Sequence, residues 1–81
     1  MAHISESEVL NLIQKALNLK DKKITIDSVM ADFTEWDSLG HLGIIVALDK
    51  FFSGKVGGIK EIATADSVRK ILDILKKHSL I

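Results

Sequence analysis

"DSLGHLGIIVALDKFF", residues 37–52, opens on two residues that favour helix starts and continues with apolar side chains around most of a helical circumference. Asp37 and Ser38 both carry oxygens that accept from the unpaired N–H groups of a first turn, so either suits the cap of a helix from about Ser38 to Phe52. Leu39, Leu42, Ile44, Ile45, Val46, Leu48, Phe51 and Phe52 are too many for one buried stripe. The helix is therefore expected to be central, with part of its apolar surface left for partners. Gly40 and Gly43, one turn apart, each cost roughly 1 kcal/mol of helix propensity, and their missing side chains are expected to let a partner approach the backbone.

Upstream, Ser5-Glu6-Ser7-Glu8 has capping-box spacing, and Val9, Leu10, Ile13, Ala16 and Leu17 recur at helical intervals, which predicts a first helix from about 6 to 18. Between Leu19 and Trp36 the periodicity breaks. That stretch reads as a long connection, with a short turn after Asp27 and with Ile24, Ile26, Val29, Met30 and Phe33 as anchors. Downstream, Ser53–Gly58 is turn-rich and Ile59–Ala63 suits a short third helix. Val68, Ile71, Leu72, Ile74 and Leu75 define a fourth, ending in Lys76-Lys77-His78. The predicted fold is all-α: a small four-helix bundle of three principal helices and a short third one, crossed by the long loop between helices 1 and 2.

The chain has 81 residues, enough for a single domain over 1–81 with one modest core. It has no cysteine, which excludes a disulfide framework, a Cys-based metal site and any protein thiol able to carry a thioester. The first residues lack the pattern of a secretory signal, and the apolar run from Leu42 to Leu48 is far short of a membrane span, so a soluble cytoplasmic protein is expected. A net charge of zero argues against a generic nucleic-acid binder. The charge is nevertheless segregated along the chain. Residues 24–49 carry Asp27, Asp32, Glu35, Asp37 and Asp49 with no Lys or Arg, while residues 50–81 hold seven basic groups against three acidic ones.

An Asp-Ser pair followed by an aliphatic residue occurs three times, at Asp27-Ser28-Val29, Asp37-Ser38-Leu39 and Asp66-Ser67-Val68. Helix and turn starts select such pairs for capping alone, and that reading suffices for the first and the third. The middle pair has a long loop before it, the most apolar helix after it and acidic residues around it. A serine at a helix start is exposed, and the positive end of the helix favours an anion there by some tenths of a kcal/mol, typically about 0.3–1.

Trp36-Asp37-Ser38-Leu39-Gly40-His41-Leu42, followed by Ile44-Ile45-Val46-Ala47-Leu48-Asp49-Lys50-Phe51-Phe52, resembles the acyl carrier protein family, and the likeness extends over nearly the whole chain. It implies a carrier rather than an enzyme. On this resemblance Ser38 is the attachment site for 4′-phosphopantetheine, taken from coenzyme A by a magnesium-dependent phosphopantetheinyl transferase. The arm's thiol holds an acyl or aminoacyl group as a thioester for loading and acyl-transferring enzymes. Asp37 and Leu39 flank the attachment point. Leu39, Leu42, Gly43, Val46 and Asp49 fall on the family's partner-binding face, while Ile44, Leu48 and Phe52 face the interior, where some carriers shelter an acyl chain. A monomer with no resident metal and no membrane span is implied.

The chain departs from the strongly acidic carriers of primary fatty-acid synthesis. Gly43 stands where a partner-facing glutamate is usual, and Lys50 replaces another acid near the helix end, which points to a discrete carrier of a specialised pathway. His41, three residues from Ser38, is expected to be solvated, since no oxyanion site accompanies it. His3, His41 and His78 have no metal-ligand spacing. Trp36 reads as a packing anchor for the loop. The competing readings are a small helical protein-interaction module without a prosthetic group and a nucleic-acid binder using Arg69, Lys70, Lys76 and Lys77.

Overall fold

The computed structural model describes residues 5–81; His3 lies outside them. Three α-helices are present among these residues: α1 (Glu6–Ala16), α2 (Ser38–Phe51) and α3 (Val68–Lys77). Two 3-10 helices, Met30–Asp32 and Lys60–Thr64, interrupt the connections. The short third helix expected over Ile59–Ala63 is thus a 3-10 segment shifted by one residue, and the turn expected after Asp27 is the other. Short runs close with i→i+3 bonds because too few residues remain to repay an α-helical nucleus.

Each α-helix starts where a side-chain oxygen stands ready. Ser5 Oγ accepts from the Glu8 N–H (3.4 Å), Asp37 Oδ1 from Gly40 N–H (2.8 Å) and Ser67 Oγ from Lys70 N–H (3.2 Å). The three helices also share one ending. Asn18, Ser53 and Ser79 take φ values of 54°, 57° and 59°, and the next residue's N–H turns back to a carbonyl five positions earlier. Those bonds are Leu19 to Gln14 (3.2 Å), Gly54 to Asp49 (2.7 Å) and Leu80 to Leu75 (2.8 Å), the Schellman pattern built without glycine at the left-handed position.

The core gathers one stripe from each helix. Val9, Ile13, Ile44, Leu48, Val56, Val68, Ile71 and Leu75 have no exposed surface, and Trp36 and Ile62 are buried with them at the end nearest the start of α2. The long connection is tied down at both ends. The Gln14 amide donates to the carbonyls of Leu19 (3.3 Å) and Lys22 (2.6 Å) while its oxygen accepts from Ile24 N–H (2.8 Å), so one side chain of α1 fixes the loop's first half. The second half is pinned to the start of α3. Met30 N–H donates to the Asp66 carbonyl (2.8 Å), and Val68 N–H donates to the Ser28 carbonyl (3.0 Å), beside an isolated antiparallel bridge between Val29 and Ser67.

Candidate functional site

The three Asp-Ser pairs, alike in sequence, have different fates. Ser28 is buried, and its Oγ accepts from Thr25 N–H (2.8 Å), so it closes a turn rather than a helix start. Asp27 beside it holds Arg69 at 2.6 Å. Ser67 caps α3 with its own hydroxyl oxygen, as Asp66 pairs with Lys70 at 2.8 Å. Ser38 alone of the three is exposed with an Oγ that bonds to no other described residue. Asp37 has taken the capping role at α2, which leaves the Ser38 hydroxyl free at the helix's first position.

The backbone around that hydroxyl follows from the same cap. Asp37's carboxylate occupies the Gly40 N–H and its carbonyl the His41 N–H (2.8 Å), while the N–H groups of Ser38 and Leu39 have no acceptor among the described residues. Two orphan donors at the positive end of a helix, next to an exposed hydroxyl, suit the negative charge of a phosphodiester on Ser38 Oγ. Glu35, just upstream, has its carboxyl held below the usual carboxylate range, first by its backbone hydrogen bonding and then by Lys22 at 3.6 Å.

His41 is not solvated. It is 6% exposed and stacks on Trp36, with ring centroids 6.1 Å apart and planes 15° from parallel. The Trp36 indole N–H donates to His41 Nδ1 (3.0 Å), which requires Nδ1 to be the acceptor and puts the ring proton on Nε2. Nε2–H then donates to the Ile62 carbonyl (2.7 Å) in the 3-10 helix Lys60–Thr64. Both imidazole nitrogens are spent inside the fold, so His41 is no general base for Ser38. Trp36, 2% exposed, is an anchor in the sense expected, with the indole N–H partnered as burial demands.

The glycines also serve the interior. A Cβ on Gly40 would fall inside the contact distance of the Glu35 carbonyl oxygen and lie 3.0 Å from Leu17 Cδ2. That space belongs to the loop rather than to an approaching partner, which corrects the expectation for Gly40. At Gly43 a Cβ would meet only the Ala16 carbonyl oxygen, at 3.6 Å, so its side-chain direction points toward the end of α1. Leu39, Leu42 and Val46 are 79%, 55% and 46% exposed and form one stripe on α2. Asp49 is engaged at the far end: its Oδ1 accepts from Val56 N–H (3.0 Å) and Gly57 N–H (2.7 Å).

Comparison with curated proteins matches the chain to an acyl carrier protein of Buchnera aphidicola subsp. Baizongia pistaciae (strain Bp). The two are 30% identical over 73 residues, which cover 90% of this chain and 92% of the relative. The chain belongs to the acyl carrier protein family. No family model matches it, and no solved structure does. Membership makes it a carrier and not an enzyme. Among the described residues of this family member no helix is long and apolar enough to cross a membrane, and no three His, Cys, Asp or Glu side chains converge as metal ligands.

Sequence reasoning missed three contributors to the site's geometry: Gln14, the Ile62 carbonyl and the bridging role of His41. The first two act over 10 and 21 residues of chain separation and leave no local pattern. A signal did exist for His41. A tryptophan expected in a core brings an N–H that needs an acceptor, and His41, one turn into the helix that follows, is within its reach.

Proposed function

We propose that this member of the acyl carrier protein family carries an acyl or aminoacyl group as a thioester on 4′-phosphopantetheine joined to Ser38. The observation that supports the reading most is the contrast among the three serines. Only the Ser38 hydroxyl combines exposure, freedom from internal hydrogen bonds and two orphan backbone N–H groups beside it. In the attachment step a phosphopantetheinyl transferase joins Ser38 Oγ to the phosphorus that bears the pantetheine in coenzyme A. The pyrophosphate bond breaks, adenosine bisphosphate leaves, and the hydroxyl proton is released. Once attached, the group supplies a terminal thiol, which this cysteine-free chain lacks. The chain's own residues present the arm: Asp37 caps the helix that bears it, and Trp36 fixes the loop in front of it.

The partner face in this reading is the apolar stripe Leu39, Leu42 and Val46, flanked by Gly43 and ending near Asp49. Its partners are the transferase and the enzymes that load and unload the thioester, in a cytoplasmic, specialised pathway served by a single discrete domain. The test is the intact mass of the chain after incubation with coenzyme A, magnesium and a broad-specificity transferase. Wild type, Ser28→Ala and Ser67→Ala should each gain one phosphopantetheine, and Ser38→Ala none. No gain by wild type, with a control carrier loaded in parallel, would favour an interaction module that uses the same stripe without a prosthetic group.

A further inference from the structure

We infer that this carrier keeps its cargo outside the helical bundle and is therefore suited to short or polar acyl or aminoacyl groups rather than long alkyl chains. The inference rests on the attachment reading for Ser38 and concerns what the arm carries. Two independent observations support it. The first is the absence of room: Val9, Ile13, Ile44, Leu48, Ile71 and Leu75 are each 0% exposed. A void able to hold even one water would give the atoms lining it accessible surface, so no space that an alkyl chain could enter borders these six side chains, where α1, α2 and α3 meet.

The second is a hydrogen-bonded bar across the way in from Ser38. Trp36 Nε1–H to His41 Nδ1 (3.0 Å) and His41 Nε2–H to the Ile62 carbonyl (2.7 Å) connect the loop before α2, α2 itself and the 3-10 helix Lys60–Thr64. Every buried side-chain nitrogen and oxygen among the described residues has a partner. To pass between α2 and that 3-10 helix, a chain must separate His41 from Ile62 and leave the His41 Nε2–H unpaired against alkyl carbon, an arrangement that resists rather than invites insertion. A long alkyl group left outside stays in water or on the apolar stripe of α2, which partners need. A short or polar cargo has neither difficulty.

The experiment loads the full chain with acetyl-, octanoyl- and dodecanoyl-coenzyme A through the transferase and verifies each adduct by intact mass. The readouts are the NMR shifts of the Trp36 indole N–H and of the Ile44, Leu48 and Leu75 methyl groups, together with the melting temperature. The inference expects all of these to coincide for the three cargos. Core methyl shifts that move with chain length, or a melting temperature more than about 4 °C higher with dodecanoyl than with acetyl, overturn it while leaving Ser38 as the attachment site. Failure of every cargo to add mass at Ser38 overturns the attachment reading, and this inference with it.

Discussion

Replacing His41 with alanine separates a buried bridge from a surface side chain. The substitution removes the acceptor of the Trp36 indole N–H and the donor to the Ile62 carbonyl. The two losses are unequal. Ile62's carbonyl also accepts from Ala65 N–H (3.3 Å), so it keeps a partner, whereas the indole N–H of a residue 2% exposed is orphaned. An orphaned buried donor costs about 1–3 kcal/mol, the lost bond to Ile62 about 0.5–1.5 and the lost ring stacking about 0.5–1.5. Alanine returns some tenths of a kcal/mol, at most about 0.7, through helix propensity. The net expectation is a loss of about 1.5–5.5 kcal/mol, large beside the roughly 4–12 kcal/mol typical of a domain of 81 residues. A solvated histidine would change stability by no more than about 0.5 kcal/mol.

Urea denaturation followed by far-UV circular dichroism gives the difference directly, and the melting temperature should fall by at least about 6 °C. Trp36→Phe keeps most of the buried volume and removes only the donor. The double variant should therefore cost less than the two single costs combined, with a coupling of about 0.5–3 kcal/mol. A cost below about 0.5 kcal/mol for His41→Ala, or additive single effects, would refute the bridge.

The two helical glycines should respond in opposite directions. Gly40→Ala must push back the Glu35 carbonyl and is expected to destabilise by about 1–3 kcal/mol, while Gly43→Ala gains about 1 kcal/mol of helix propensity at an ordinary 3.6 Å contact; thermal melts of both variants test the contrast. Glu61's carboxyl is held below its ordinary value of 4.5 chiefly by Lys77's hydrogen bond and then by His78, so its contribution is present above that pH and lost as pH falls through the lower folded value. The gap in urea midpoint between wild type and Glu61→Gln should accordingly hold at neutral pH and narrow as pH is taken below 4.5. At the proposed partner face, Leu42→Ser should raise the transferase KM at least about tenfold, the equivalent of one buried leucine, whereas added salt should change it little; a steep salt dependence would contradict an apolar docking surface.

Helix starts were readable from the sequence because the information is local. Ser5, Asp37 and Ser67 each stand within one turn ahead of an apolar repeat, and all three cap as that pattern implies. Helix ends were less sharply marked. Asn18, Ser53 and Ser79 take the left-handed conformation that glycine usually signals, so the first helix reads two residues too long. The three Asp-Ser pairs show how far local chemistry reaches: the same dipeptide closes a buried turn, opens α2 and caps α3, according to which backbone groups the rest of the chain brings near. His41 was misread for a related reason. A polar residue between glycines at a helix start looks exposed until Ile62, 21 residues on, is folded against it.

Charge along the chain is an equally poor guide to charge in space. The acidic segment 24–49 suggests a negative face around Ser38, yet three of its five acids are engaged within the fold. Asp27 pairs with Arg69, Glu35 lies 3.6 Å from Lys22, and Asp49 accepts two backbone N–H groups. Of the remaining two, Asp37 gives one oxygen to Gly40, and Asp32 sits back along the loop. The α2 stripe itself carries Leu39, Leu42 and Val46, without an acidic residue in the first turn. Exposed ion pairs contribute little to stability, about 0–1 kcal/mol each, so the more consequential effect of this pairing is on recognition. A partner that selects carriers by long-range attraction finds little to steer it here. On the proposed docking face, a partner with a matching apolar groove would instead gain from each exposed side chain of the stripe, Leu39, Leu42 and Val46.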